Sequence, residues 1–240
     1  MSETILSLGV VFIASLCNTV FGFGGGLVSI PLLSLMLGVK KAVLLALTLQ
    51  VATGMLISKT RHHTDWGMIK RISPALFAGI ALGTLILEKA NNQFLNYFLA
   101  LFIYLFIAKS RFFPDIKLGV SSSRRGLYFA GIITGTIGGL TGTAGPVIVM
   151  LLSEITKDKV IFRANIIALL FITNLTRLVT AGARGLFDAS LIQLSLLCLP
   201  LIGLAMVSGQ KLHSSVSPRV YENGVQLILL ISATLLLAKG

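Results

Sequence analysis

Two short stretches hold the residues best suited to chemistry. The first is "FGFGGG", in which Gly22, Gly24, Gly25 and Gly26 surround Phe23. The second is "TGTAGP", made of Thr141, Gly142, Thr143, Ala144, Gly145 and Pro146. Each interrupts a long apolar run. Clustered glycines weaken a helix, and a break frees amide N–H groups at the start of the segment that follows. Those groups, with the positive end of the helix dipole, bind anions. Pro146 suits the first turn of the new segment, where its missing N–H costs nothing. The chemistry expected is recognition of a small anion between the two breaks. An isolated glycine would do no more than permit close helix packing. A cluster that recurs supports a site.

Polar residues near the breaks extend the set. Asn18 and Thr19 precede the first. Thr141 and Thr143 lie in the second, and their hydroxyls can donate to an anion. Gln50 sits deep in an apolar block, where an unpaired amide is costly; it either bonds exposed backbone or faces the pathway. Asn174 and Arg177, in "TNLTR", are three apart and share a helix face. Arg177 falls near the outer end of its span, so it either attracts the anion or snorkels to the surface. The candidate binding residues are therefore Asn18, Gly22, Phe23, Gly24, Gly25, Gly26, Gln50, Thr141, Gly142, Thr143, Ala144, Gly145, Asn174 and Arg177.

Other chemistries lack their motifs. No Gly-Lys-Ser/Thr follows the first glycine stretch, and Leu27 stands where a dinucleotide fingerprint needs its third glycine. There is no Gly-x-Ser-x-Gly and no His-Glu-x-x-His. His62, His63 and His213 lie in basic loops and read as solvated. Glu3, Asp65, Glu88, Asp115, Glu154, Asp158, Asp188 and Glu222 all fall at block ends or in loops, so no carboxylate proton relay at depth is evident. Cys17 and Cys198 lie in apolar spans, which argues for buried thiols and against a disulfide framework or zinc site. No catalytic residue, metal or cofactor is expected, and the chain does not read as an enzyme.

The elements that must hold these residues are membrane spans. Of the 240 residues 55% are hydrophobic and only 12% charged, against about 25% charged in a soluble domain. Mean hydropathy is +0.93. Such a chain has too few polar residues to cover a globule. The start of the chain lacks the basic region and cleavage site of a signal peptide, so the first apolar stretch is expected to stay in the mature protein. The net charge of +12 sits in short loops between apolar blocks, as the positive-inside bias places it, and does not point to nucleic acid.

Eight apolar blocks are long enough to cross a bilayer, approximately 4–37, 42–58, 68–88, 92–109, 126–153, 160–180, 188–210 and 219–239. Trp66, Tyr97, Tyr128 and Tyr221 fall near block ends, where interfacial aromatics belong. The first block would measure about 51 Å as one helix, too long for a single crossing. A broken pair of helices that returns to its starting side fits better.

The chain also repeats. Setting Gly25 on Gly145 puts Gly22 on Gly142, Gly24 on Ala144 and Gly26 on Pro146. A lysine-bearing loop and three more blocks follow in each half. The domain reading is an N-terminal repeat over 1–112, a linker loop over 113–123 and a C-terminal repeat over 124–240, forming one membrane domain. If both broken pairs return, 14 of the 20 Lys and Arg lie on one side and 6 on the other; if they cross, the split is 12 to 8. The larger asymmetry favours inverted halves. The fold class expected is an all-α polytopic transmembrane helical bundle with two inverted repeats, each opening with a Gly-broken helix pair. Both termini are expected outside a bacterial-type plasma (inner) membrane.

At these residues the chain resembles the sulfite exporter TauE/SafE family of membrane permeases. "FGFGGGLVSIPLL" at 21–33, "KKA" at 40–42, "GTIGGLTGTAGPVIVMLL" at 135–152, "RANIIALLFITNLTRL" at 163–178 and "LPLIGLAMVSGQKL" at 199–212 carry the resemblance. It implies transport, usually export, of small sulfur-containing anions such as sulfite, sulfoacetate or related C2 compounds. Family members commonly show Gly-Gly-Gly or Gly-Gly-Pro at the second break. Here Ala144 replaces the first of these glycines, and its methyl group is expected to narrow the site.

The expected partners are a small anionic substrate and the lipid bilayer, with no nucleic acid; a homo-oligomer is compatible with the sequence. The reading is a transporter, exporter or facilitator, working by alternating access. The alternatives are a facilitative anion channel and a permease for another small organic anion. An intramembrane enzyme would need a catalytic cluster at depth, and a receptor or scaffold would more naturally carry a sizeable soluble segment. Neither feature is found.

Overall fold

The structure, a computed structural model, describes residues 2–21, 25–52, 61–113, 123–212 and 218–239. Among these residues there are ten α-helices, a 3-10 turn at Arg61–His63 and no strand. The helices are α1 Ser2–Phe21, α2 Gly25–Leu37, α3 Val39–Ala52, α4 Trp66–Lys89, α5 Asn92–Phe112, α6 Arg124–Thr141, α7 Gly145–Ile155, α8 Lys159–Ala183, α9 Ala189–Leu212 and α10 Pro218–Lys239. In a bilayer every backbone polar group must be satisfied internally, which an apolar helix does by itself.

The two longest apolar blocks are each split. Block 4–37 becomes α1 and α2, and block 126–153 becomes α6 and α7. The 11 residues of α7 span about 16 Å, roughly half the hydrocarbon thickness. By contrast, Trp66–Lys89, Asn92–Phe112, Lys159–Ala183 and Ala189–Gly209 are each long and apolar enough to cross a membrane. Among the described residues helix order is the same in both halves: a helix that ends beside a glycine, a short helix, then three more. The chain is an all-α polytopic membrane protein.

Helix ends follow the sequence. Asn91 accepts from the Phe94 amide at the start of α5, and Lys109 and Arg111 sit in its last turn, favourable for the dipole. Asp158 accepts from the Val160 and Ile161 amides at the start of α8. At the start of α9, hydrogen bonds from the Ser190 hydroxyl and the Leu191 amide hold the Asp188 carboxyl below its usual range. Large apolar side chains such as Phe129, Leu105 and Leu196 are mostly exposed, the surface that lipid covers.

Two compact units divide the chain, and each draws on both halves. One comprises Met1–Leu49, Ala90–Pro114 and Phe187–Gly240; the other comprises Gln50–Lys89 and Asp115–Leu186. These units do not coincide with residues 1–112 and 124–240. Of the expected linker 113–123, only Phe113 and Ser123 fall among the described residues. In the first unit, α1 packs on α9, α5 on α10, and α2 on α1 and α10. The Lys239 ammonium donates to the Leu35 carbonyl at 2.6 Å, and Lys41 pairs with Asp188 at 3.6 Å.

In the second unit, α4 packs along most of α6, α8 packs on α4 and α7, and Arg184 pairs with Glu88. Its core is apolar, built on Ile69, Ile72, Leu76, Ile80, Ile148 and Leu169. The first helix of each half thus pairs with the fourth helix of the other: α1 with α9, and α6 with α4. The α4–α6 contact is made backbone to backbone. A Cβ on Gly79 would lie 2.9 Å from the Thr136 nitrogen and 3.0 Å from the Gly135 Cα. Gly83 meets Gly139 in the same way.

Candidate functional site

The second break is fully described. Helix α6 ends at Thr141, whose hydroxyl donates to the Ile137 carbonyl at 2.7 Å. Gly142 turns left-handed, with φ 79°, a conformation that costs glycine nothing. Its N–H donates to the Gly138 carbonyl at 3.0 Å, and the Thr143 amide donates to the Thr141 hydroxyl oxygen at 3.3 Å. Ala144 then takes right-handed helical angles, and α7 begins at Gly145 with Pro146 in its first turn. No side chain caps this helix start. Residues 141–148 are all buried.

The break leaves the Gly142 carbonyl outside any helix ladder. Two side chains take it up. Arg177 Nη1 donates to it at 3.0 Å, and Gln50 Nε2 donates at 3.0 Å. The same Arg177 nitrogen also faces Gln50 Oε1 at 3.2 Å and Asn174 Oδ1 at 3.4 Å. Asn174 Nδ2 reaches the Gln50 backbone carbonyl at 3.4 Å. Helices α3 and α8 thereby close a polar cluster on the end of α6. A carbonyl has two lone pairs, so two donors satisfy it.

Four of the candidate residues, Gln50, Gly142, Asn174 and Arg177, come together in this cluster. Of the two readings open for Gln50, the structure shows it bonded to exposed backbone. Arg177 is only 2% exposed and lies six residues from the end of α8, about 9 Å along its axis. It is buried against the break and does not snorkel. Two further candidates make other contacts. The Thr141 hydroxyl gives its proton to Ile137 and does not offer it to a ligand. The Ala144 methyl lies 2.8 Å from where a Gly138 Cβ would stand, so it fills the notch over Gly138 and packs in the apolar core.

Gly145 differs from the packing glycines. Among the described residues, a Cβ there would meet only Leu170 Cδ2, at 3.9 Å. The described residues leave room there for a side chain.

At the first break, Gly22, Phe23 and Gly24 lie outside the described residues, as do the side chain of Asn18 and the surroundings of Gly25. Gly26 is buried in α2. Thr19 donates to the Ser15 carbonyl at 2.8 Å, which occupies its proton. The backbone contacts of Gly79, Gly83, Gly135 and Gly139 were missed by sequence reasoning. The signal was present as small residues every four positions, Ala75-x3-Gly79-x3-Gly83 and Gly131-x3-Gly135-x3-Gly139.

Electrostatically the break sets two helix ends side by side. The C-terminal end of α6 carries negative partial charge and the N-terminal end of α7 positive. Arg177 and Gln50 cover the negative end at Gly142. Among the described residues no side chain covers the positive end at Gly145 and Val147, and amides at a helix start can receive an anion. Among the described residues there is no group of His, Cys, Asp and Glu that could hold a metal ion.

Comparison with known proteins gives three findings. The profile of the family described as "Sulfite exporter TauE/SafE" matches residues 7–236. A protein of Cupriavidus necator, "Probable sulfite/organosulfonate exporter TauE", is 22% identical over 222 residues, covering 90% of this chain and 84% of that one. No solved structure matches significantly.

Proposed function

Because the chain belongs to the sulfite exporter TauE/SafE family, we propose that it carries small sulfur oxyanions, sulfite or C2 sulfonates such as sulfoacetate, out across the membrane. The anion is bound at the Gly-rich breaks, and alternating access of two inverted repeats moves it. The chain transports and does not convert its substrate.

The observation that carries the site is the polar cluster on Gly142. A buried guanidinium is expensive unless it is hydrogen-bonded, and here it donates to a break carbonyl that would otherwise repel an anion beside α7. With that carbonyl covered, the α7 amides and the Arg177 charge act with the same sign. Asn174 and Gln50 orient the guanidinium and are positioning residues. A sulfite or sulfonate group offers three oxygens, enough to accept from more than one amide at once.

The test is flux of sulfite and sulfoacetate in proteoliposomes. Both are expected to move, with saturation. Arg177→Gln is expected to reduce flux by about tenfold or more, since losing a charge-assisted hydrogen bond costs roughly 1.5–3 kcal/mol. Size-exclusion profiles check that the variant still folds. If neither anion moves, the substrate class is wrong. If flux is unchanged in the folded Arg177→Gln protein, the site is wrong.

Topology has its own test. Cysteine placed at His62, exposed in the 3-10 turn, should react with an impermeant thiol reagent only from the cytoplasmic side. Labelling from outside intact cells would reverse the assigned orientation.

A further inference from the structure

A cleft of about 210 Å³ lies at the start of α4, away from the Gly142 break. Asp65, Met68 and Arg71 line it from the start of α4, Leu127 from the first turn of α6, and Ile155 and Thr156 from the end of α7. It is smaller than the roughly 300–1,000 Å³ of pockets for drug-sized ligands. Its polar groups are of opposite sign and held apart. Asp65 is fixed on both sides: its N–H donates to Asn165 Oδ1 at 2.9 Å, and its carboxylate accepts from the Met68 amide at 3.0 Å. Arg71 lies six residues further on, about 9 Å along the helix axis. No ion pair joins them.

A plain anion in this cleft would face the Asp65 carboxylate, and a plain cation would face Arg71. A zwitterion answers both. The level in the membrane narrows the choice. Trp66, adjacent to Asp65, is 41% exposed, and Lys70, Arg125 and Lys157 are exposed nearby in sequence to lining residues. Exposed tryptophan with lysine and arginine marks the headgroup layer. Met68, Leu127 and Ile155 supply an apolar wall for the part of a lipid below its headgroup.

We propose that this cleft binds a phosphoethanolamine group presented by a membrane lipid, with the phosphate on Arg71 and Thr156 and the primary ammonium on Asp65. A primary ammonium carries three N–H donors, of which one or two can reach the carboxylate; a choline headgroup has none to give. A glycerol headgroup brings the phosphate without the cation. The cleft therefore selects among lipids by headgroup, independently of what the protein transports.

The chain's single tryptophan gives a native reporter at the rim of the cleft. The full-length protein in detergent is titrated with phosphatidylethanolamine, phosphatidylcholine, phosphatidylglycerol and soluble glycerophosphoethanolamine while Trp66 emission is read. A saturable change with the ethanolamine lipid is expected, about tenfold weaker with the choline and glycerol headgroups. Asp65→Asn and Arg71→Gln are each expected to weaken ethanolamine-lipid binding by about tenfold. Asparagine caps a helix as well as aspartate, and Arg71 is exposed, so both variants should fold. A response to glycerophosphoethanolamine with the same sensitivity to the variants supports the chemistry with a soluble source. Equal responses to all headgroups, no response to any, or no loss in either variant overturns the proposal.

Discussion

Replacing Gly145 with valine is expected to abolish anion flux while leaving a folded protein in the membrane. Gly145 is neither a positive-φ glycine nor, among the described residues, one pressed against a neighbouring backbone. Its φ is not positive, and the nearest described atom to an added Cβ is Leu170 Cδ2 at 3.9 Å, an ordinary contact. One backbone reason for glycine exists: the Pro146 ring disfavours helical angles for a preceding residue that carries a Cβ. The double variant Gly145→Val/Pro146→Ala removes that conflict and isolates the side chain's effect. Valine there would stand over the N–H groups that begin α7. Losing access to two charge-assisted hydrogen bonds costs roughly 3 kcal/mol or more, about a hundredfold in flux at limiting substrate. Proteoliposome flux and a size-exclusion profile decide the outcome. A folded double variant that carries sulfite at the wild-type rate would remove the α7 amides from the binding site.

The sequence announced the break but not its wiring. Clustered glycines and a following proline were enough to predict that α6 and α7 are separate helices, because helix propensity acts locally. The partners of Gly142 were not readable in the same way. Gln50 lies 92 positions away and Arg177 lies 35 away, and a single sequence carries no record of which distant side chain reaches which carbonyl. Arg177 was placed by its distance from the end of its span, which measures depth and not the direction in which a side chain points. Ala144 misled for a related reason. Its methyl was expected beside the ligand, whereas the left-handed turn at Gly142 is followed by an Ala144 that packs on Gly138. The compact units were also hidden. Repeats are visible as matched order along the chain, but helices pack across repeats, α1 with α9 and α6 with α4, and only the folded chain shows that exchange.

Gly135→Ala is expected to be strongly destabilising for a single added methyl group. A Cβ there would lie inside contact distance of the Leu76 carbonyl oxygen, 2.8 Å from the Ile80 nitrogen and 3.0 Å from the Gly79 Cα. All three are backbone atoms, so no rotamer change relieves the clash; the helices must separate. Gly79 makes the reciprocal contact with α6. Apolar driving force between helices vanishes in lipid, and stability rests on close van der Waals packing and weak Cα–H···O contacts. Overpacking of this kind costs roughly 1–3 kcal/mol, or about 2–12 °C in Tm for a chain of this size. Gly135→Val should leave little folded protein. Gly203→Ala serves as the control: no described atom lies within 4 Å of its Cβ position, and alanine in a helix interior is stabilising by up to about 1 kcal/mol. Opposite signs for the same chemical change separate packing from propensity, and an unchanged Tm for Gly135→Ala would disprove the backbone contact. The consequence reaches the site. Gly139 touches α4 only three residues before Gly142, so the glycine-to-glycine contact fixes where α6 ends and hence where Arg177 must reach. A methyl at Gly135 should therefore weaken transport as well as stability, whereas the Gly145 double variant should lose transport alone.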